Sequence, residues 1–318
     1  MALYLVTGGA GFIGSHIVEE LVRRGESVRI LDNLSTGHEA NLASVRDKVE
    51  FHRADIRNPE ALRPLFTGVN HVIHLAAMVS VARSMEDPVE TTSVNLNGTL
   101  NVLLAARNAK VKRLVMAATC AVYGDNPSLP CVETQLPQPL SPYAVTKLAG
   151  EYYGKLFDRH FGLEVVSLRF FNIFGPRQDP SSPYSGVISI FTDAYLRGAI
   201  PTIYGDGEQS RDFTYVSNVV DSTLRACSAP EARGKVINIG TSVSCSLNQA
   251  ISSLNAILGV QVRPQYAAPR AGDVRHSRAD ISLARTALGY EPRVDFEDGL
   301  QRTIDWLRKA GTTGGTNG

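Results

Sequence analysis

The stretch Leu3-Tyr4-Leu5-Val6-Thr7-Gly8-Gly9-Ala10-Gly11-Phe12-Ile13-Gly14 sets the reading of everything that follows. Leu3 to Val6 is an apolar run of strand length. Ser15 to Arg24 carries Ile17, Val18, Leu21 and Val22 at helical spacing. A strand therefore enters a glycine-rich turn and leaves as a helix. Glycine lets the backbone turn tightly and approach a phosphate, and the helix N-terminus supplies free N–H groups and a partial positive charge. The pattern suits the pyrophosphate of a dinucleotide. The spacing is Gly8-x-x-Gly11-x-x-Gly14 rather than the commoner G-x-G-x-x-G. Glycine loops also serve as plain turns, so the triplet alone leaves both readings open.

Asp32 adds weight to the first reading. Ser27 to Leu31 reads as the next strand, and Asp32 closes it. That is about 20 residues beyond the glycines, where a carboxylate can hold an adenosine ribose 2′-OH. The same Asp also suits an Asp32-Asn33 turn, and the two uses are compatible. A carboxylate there repels a 2′-phosphate and no Arg follows immediately, which favours NAD over NADP.

The chain has 318 residues, enough for one large or two modest domains. A net charge of +1 gives no footprint for nucleic acid or an anionic membrane. No apolar run approaches the ~20 residues of a membrane span. The N-terminus reads directly into a strand with no charged leader, so a signal peptide is not expected. Cys120, Cys131, Cys227 and Cys245 have neither metal-site nor CxxC spacing. They read as reduced cysteines of a cytoplasmic protein that holds no metal.

Strand-like runs at 3–7, 27–32, 49–54, 70–75, 111–117 and 163–169 alternate with helical stretches near 12–24, 59–66, 88–108 and 142–160. Such alternation predicts an α/β fold with a doubly wound parallel sheet. Val69 to Leu75 and Arg113 to Ala117 are nearly continuous apolar runs, as strands covered on both faces require. From Asn172 to Gly186, prolines and glycines predict a long loop, and loops of that length are usually functional. Beyond it lie short strands (201–204, 235–240, 262–266) and helices (187–198, 216–228, 246–258, 280–287, 297–310). These predict a smaller C-terminal α/β lobe for substrate, interleaved with a return to the sheet. The expected division is 1–170 with returning segments near 211–242, against 171–210 with 243–310. Residues 311–318, rich in Gly and Thr, read as a disordered tail.

Ser141-Pro142-Tyr143-Ala144-Val145-Thr146-Lys147 opens the helix near 142–160. Ser141 suits the N-cap and Pro142 the first helical position. Tyr143 and Lys147, four apart, share a helix face. An ammonium beside a phenol favours the phenolate, so Tyr143 is expected to have a lowered pKa and to act as general base. Taken alone, a surface Lys beside a partly buried Tyr explains the spacing as well.

Context narrows this. Ala117-Ala118-Thr119-Cys120-Ala121-Val122-Tyr123-Gly124 lies at the carboxyl end of the fifth strand, the edge where such sheets bind ligands. From Tyr4 to about Leu307 the chain resembles the extended short-chain dehydrogenase/reductase family, with its Rossmann-like fold, and especially its nucleotide-sugar 4-epimerases. The resemblance rests on Thr7 to Gly14, Asp32-Asn33-Leu34, Asp55-Ile56-Arg57, His74-Leu75-Ala76-Ala77, Asn95, Tyr143-x-x-x-Lys147, Arg169-Phe-Phe-Asn172 and Arg211-Asp212-Phe213. It implies NAD held by Gly8, Gly11, Phe12, Ile13 and Gly14 at the pyrophosphate. Asp32 and Asn33 would meet the ribose, Asp55 and Ile56 the adenine, and Ala76, Ala77 and Asn95 the cleft. Lys147 would bind the nicotinamide ribose, and Thr119 would bridge the sugar 4-OH and Tyr143.

The next two residues bear on the reaction. Related dehydratases carry Asp-Glu after the Ser/Thr, and related decarboxylases a Glu nearby. Here Cys120 and Ala121 stand there, so Tyr143, Thr119, Lys147 and NAD remain, a set sufficient to oxidise C4 and return the hydride to the other face. Cys120 reads as a packing residue.

For the UDP-sugar, the resemblance implies Asn172 and Arg211 at the diphosphate with Arg270. It implies Asp273 at the uridine ribose, Tyr204 beside uracil, and Val187 and Ile188 at the base. Ser277 occupies a gate that is a bulky Tyr in strict glucose/galactose enzymes. With Ser80 and Arg177-Gln178-Asp179-Pro180, it points to N-acetylhexosamines, with plain hexoses tolerated. Arg177 as partner of a 6-carboxylate keeps a glucuronate 4-epimerase open. A net-redox reductase or dehydrogenase is the other alternative. Family members commonly pair through two long helices, here 88–108 and 142–160, so a homodimer is expected, although Leu100, Val102, Leu103, Leu148 and Leu156 serve equally as core.

Overall fold

Strands buried on both faces need apolar residues at almost every position, and Leu3–Thr7, Arg113–Thr119 and Glu164–Phe170 largely supply them, whereas Glu50–Arg53 at the sheet edge has only Phe51. The computed structural model describes residues 1–180, 186–269 and 274–313. In chain order the elements are β1 (Leu3–Thr7), α1 (Phe12–Arg23), β2 (Ser27–Asp32), β3 (Glu50–Arg53), α2 (Pro59–Leu65), β4 (His71–His74), α3 (Val81–Glu86), α4 (Pro88–Thr92), α5 (Gly98–Asn108), β5 (Arg113–Thr119), α6 (Pro142–His160) and β6 (Glu164–Phe170). The second half adds β7 (Ile173–Phe174), α7 (Val187–Leu196), β8 (Thr202–Tyr204), β9 (Ser210–Arg211), β10 (Thr214–Tyr215), α8 (Val216–Ala226), β11 (Val236–Ile239), β12 (Cys245–Ser246), α9 (Leu247–Leu258), β13 (Gln265–Ala267), α10 (Ser282–Leu288) and α11 (Phe296–Thr313).

Seven strands form one parallel sheet in the order β11-β6-β5-β4-β1-β2-β3. The order reverses between β1 and β4, which opens a crevice at their carboxyl ends, the usual binding edge of such a sheet. Helices cover both faces over two apolar clusters. One joins Ile17, Val18 and Leu21 of α1 to Val219 and Leu224 of α8, and the other joins Val102 and Leu103 of α5 to Leu114 and Val165. Val102 and Leu103 are thus core, while Leu156 on α6 is exposed.

A third cluster belongs to the smaller lobe: Phe174, Phe191, Phe213, Leu247, Ile251 and Ile304. The segment 243–310 divides between the two bodies. α9 and α11 pack in the lobe, but Ala284, Ala287 and Leu288 of α10 lie in the main core under β11. The apolar face of α10 reaches the sheet because β11 has returned to its edge beside β6. The last helix also runs to Thr313, so residues 311–313 are helical where a tail was expected. Once a helix is nucleated and packed, each added residue gains a backbone bond, which carries the helix past Gly311 despite glycine's larger entropic cost. Residues 314–318 lie outside those described.

The run expected as one helix over 88–108 is interrupted. Residues Ser93–Asn97 form a π-helical turn between α4 and α5. Such wide turns often sit at functional sites, and this one carries Asn95.

Candidate active site

The glycine turn is built around backbone contact. Gly8 has φ +71°, and a Cβ on it would lie 2.8 Å from the Ala76 nitrogen. A Cβ on Gly14 would lie 2.1 Å from the Gly8 carbonyl oxygen. These two glycines are demanded by the protein's own packing. Gly11 is constrained least, since its Cβ would meet only the Gly8 oxygen at 3.2 Å. Gly11 caps α1 with no side-chain hydrogen bond, and the first turn holds no acidic residue. The N-terminus of α1 therefore presents backbone amides and the positive helix end without a competing anion, which fits a pyrophosphate. Phe12 packs onto the lobe cluster and Ile13 onto the main core.

Asp32 is buried, and its two carboxylate oxygens accept from Ala10 N at 2.9 Å and from Leu34 N at 2.8 Å. The turn use of this Asp is therefore real, and it aims the carboxylate at the glycine loop. Asn33 Nδ2 donates to Asp55 at 3.0 Å, which joins two residues expected around the adenosine. The Arg57 guanidinium holds the Asp55 carboxyl well below the usual carboxylate range. Ile56 is buried, and a Cβ on Gly98 would strike its side chain at 2.6 Å.

Asn95 clasps the loop after β4. It donates to Met78 O at 2.9 Å, accepts from Met78 N at 2.7 Å, and reaches Thr146 Oγ1 of α6 at 3.3 Å. That loop holds Ala76 and Ala77 beside the glycine turn. Beneath it, the buried His74 ring bridges Thr7 Oγ1 at 2.7 Å and Thr99 Oγ1 at 3.0 Å, and burial pushes its pKa down to about 3.

α6 begins as its sequence requires. Ser141 Oγ accepts from Ala144 N at 3.2 Å, with Pro142 in the first turn. This cap brings Tyr143 to the end of β5, where its phenol approaches the Thr119 side chain. Thr119 Oγ1 also accepts from Ala121 N at 3.2 Å, which fixes its rotamer. The buried Lys147 Nζ donates to the Ala117 carbonyl at 2.9 Å.

The expected lowering of the Tyr143 pKa is not found. Burial pushes the phenol up to about 12, opposed by the Thr119 hydroxyl. Burial also lowers Lys147 to about 8. The ammonium sits on a backbone carbonyl instead of the phenol, so desolvation dominates both groups. The Cys120 thiol is likewise pushed up to about 11 by burial, as suits a packing residue.

In the lobe, a cavity of about 230 Å³ gathers Asn172, Val187, Ile188, Tyr204 and Arg211. Five residues assigned to one ligand from scattered positions thus face one space. Phe213 and the amide side chains of Gln178 and Gln209 complete it, and sequence reasoning did not assign them. In Arg211-Asp212-Phe213 the outer residues face the cavity, while buried Asp212 accepts from Thr241, Ser242 and Ala279. Asn172 adopts φ +26°, which Asn tolerates better than most residues, and donates to Ser277 Oγ at 3.4 Å. Ser277 is buried behind it.

Other assignments fare differently. Ser80 Oγ accepts from Arg83 N at 3.0 Å as the N-cap of α3. Arg275 forks onto Asp206 with two contacts of 2.7 Å at the exposed rim. Arg177 donates to Glu19 of α1 at 2.7 Å and does not line the cavity. Arg270 and Asp273 lie outside the described residues.

Known proteins share this fold and much of this sequence. Residues 4–240 match the NAD dependent epimerase/dehydratase family. The UDP-glucose 4-epimerase of Thermotoga maritima, solved with UDP-glucose, is 40% identical; the match covers 97% of this chain and 99% of that one, with a TM-score of 0.93. A UDP-N-acetylglucosamine 4-epimerase of Methanobrevibacter ruminantium, solved with UDP-N-acetylmuramic acid, is 37% identical at the same coverage and TM-score. The UDP-glucose 4-epimerase of Thermus thermophilus, solved with NAD, is 40% identical over 97% of this chain and 99% of that one, with a TM-score of 0.88.

Proposed function

The chain belongs to the NAD-dependent epimerase/dehydratase family, and from that premise we propose that it is a UDP-hexose 4-epimerase, acting on UDP-N-acetylglucosamine and UDP-N-acetylgalactosamine and tolerating UDP-glucose and UDP-galactose. The observation that carries this reading is the approach of Tyr143 to Thr119 at the end of β5, followed by Cys120 and Ala121 where eliminating enzymes need an acid and a base. Such a site can move one proton and has nothing with which to expel water or carbon dioxide.

Gly8, Gly11, Gly14, Asp32 and Lys147 would hold NAD. When bound, the oxidised dinucleotide supplies a hydride acceptor and a positive charge that favours the phenolate. Tyr143, as the phenolate, takes the proton of the sugar 4-hydroxyl and returns it to the same oxygen after the 4-keto sugar has turned over and presents its other face. Thr119 accepts from the 4-hydroxyl and donates to the Tyr143 oxygen, relaying the proton out and, in reverse, back. Lys147 orients the ribose and keeps Ala117 in place. The lobe cavity anchors the nucleoside diphosphate through Asn172 and Arg211, leaving the hexose free to rotate.

The sugar assignment rests on Ser277, whose small side chain leaves room for a 2-acetamido group. The engagement of Arg177 by Glu19 removes the cation offered for a 6-carboxylate. Initial rates on UDP-N-acetylglucosamine, UDP-glucose and UDP-glucuronate test this. The highest rate on UDP-glucuronate would overturn it.

The same reading assigns 1–170 and the returning segments near 211–242 to NAD, and 171–210 with most of 243–310 to the UDP-sugar. It places the enzyme in the cytoplasm, in keeping with its free cysteines. It also includes a homodimer. Exposed Val145, Tyr152 and Leu156 form a stripe along α6, with exposed Val81, Met85 and Val89 on the neighbouring α3 and α4. Sedimentation should give the mass of two chains, and Tyr152→Arg should give one.

A further inference from the structure

α1 has two jobs. Its N-terminus forms the glycine-turn site, and its face at positions 12, 16 and 19 meets the lobe. Those positions follow i, i+4, i+7 spacing, so they share one side of the helix. Phe12 packs in the lobe cluster, edge-on to the His16 ring at 6.0 Å. His16 Nε2 donates to the Pro176 carbonyl at 3.0 Å. Glu19 accepts from Arg177 Nη2 at 2.7 Å and also from the Ser44 hydroxyl. The next residue, Gln178, lines the lobe cavity and donates to Ile173 O at 3.2 Å. Contacts to the cofactor helix and to the cavity wall therefore fall within three consecutive residues, 176–178, of one chain segment.

The Glu19–Arg177 contact is maintained against opposing costs. Arg177 adopts φ +68°, a conformation unfavourable for a residue with a Cβ. Its Nη1 is buried with no hydrogen-bond partner among the described residues. Backbone strain and a buried orphan donor persist only where the surroundings over-determine them. Neither residue touches Thr119, Tyr143 or Lys147, so chemistry does not explain them.

We propose that Glu19 and Arg177 are positioning residues that couple the two ligand sites, so that filling the lobe cavity slows loss of the dinucleotide from the glycine turn. The inference rests on the functional reading above, since it takes NAD and a UDP group as the two ligands. A UDP group fixes the 172–178 segment and Arg211, and the clasp then fixes α1 relative to the lobe. Coupling between binding sites is reciprocal, so NAD tightens UDP by the same factor.

The test measures the affinity of NAD, from its association rate and its exchange for labelled NAD, with and without saturating UDP, and the affinity of UDP with and without NAD. In the wild type both ratios should be about tenfold, within the usual range of such coupling. In Glu19→Gln and in Arg177→Met both ratios should fall to within about twofold of unity. The double variant should be no worse than either single one, because the two residues act as a pair. Arg177→Lys, which keeps the charge and loses the fork, should retain part of the coupling and covers the case in which Arg177→Met does not fold. Unchanged ratios in the variants, or ratios of one in the wild type, overturn the proposal. Failure to bind UDP or NAD at all would instead refute the functional reading.

Discussion

Tyr143 and Thr119 meet although they lie on different elements, the first turn of α6 and the end of β5. The phenol has no ammonium contact, since Lys147 donates to the Ala117 carbonyl. Tyr143→Phe should therefore remove the proton carrier and little else. Turnover is expected to fall about 10²–10⁴-fold, the range of general acid–base catalysis. UDP affinity and NAD content should stay within about threefold, read by calorimetry and by absorbance of the purified protein.

Thr119 has two separable duties. Its hydroxyl meets Tyr143, and its Oγ1 caps the turn that begins at Cys120. Thr119→Ser should keep both. Thr119→Val should lose both, with a loss of about 1 kcal/mol in stability from the missing cap. Its kcat should fall at least tenfold. Urea unfolding and steady-state rates separate the two effects.

Lys147 gives a pH signature. Its folded pKa is lowered to about 8 from 10.5 by burial. Between those values the unfolded chain binds more protons than the folded one, so this residue's contribution to stability rises with pH. Below about pH 8 the burial penalty is present in full, on the order of 3 kcal/mol by the size of the shift. In the NAD-free protein, Lys147→Met should thus be the more stable at pH 7, by a margin that shrinks towards pH 10. A margin that grows with pH would show that Lys147 is not held in this way.

The glycines divide by what limits them. Gly14→Ala places a Cβ 2.1 Å from a backbone oxygen, so folded protein should not accumulate. Gly11→Ala meets that oxygen at 3.2 Å, so the fold should survive with a small fall in melting temperature. NAD affinity in Gly11→Ala should nevertheless drop about tenfold or more, about 1.4 kcal/mol, because the extra methyl stands on the face offered to the phosphates. The soluble yield of Gly14→Ala and a fluorescence titration of NAD on Gly11→Ala check this.

Ser277 tests the sugar. It lies behind Asn172, the cavity residue it hydrogen-bonds. Ser277→Tyr should cut kcat/KM on UDP-N-acetylglucosamine at least tenfold relative to UDP-glucose. Equal losses on both sugars would argue that the residue is not the gate.

Much of this was legible in the sequence because local rules govern it. The glycine turn, the apolar strands and the Ser141-Pro142 start of α6 are short-range signals, and each appears where the pattern puts it. What escaped depends on tertiary packing. The π-helical turn at Ser93–Asn97 has no periodic signature, yet it aims Asn95 at Met78. The Ser80 hydroxyl also caps α3 by accepting from the N–H of Arg83, a use that the sequence reading did not assign. Gln178 and Gln209 reach the cavity through folds of the chain that no spacing announces. The Tyr143 acidity was misjudged because helical spacing gives proximity to Lys147, while the partner of its ammonium is set by β5.

The central claim is that the hydride leaves C4 and comes back within one active site. Conversion of a UDP-hexose deuterated at C4, in the presence of excess unlabelled free NADH, tests it most directly. The account expects the 4-epimer to keep its deuterium through many turnovers, with no change in free NADH. Loss of deuterium to the free cofactor pool, or net production of NADH in step with sugar consumed, would contradict it.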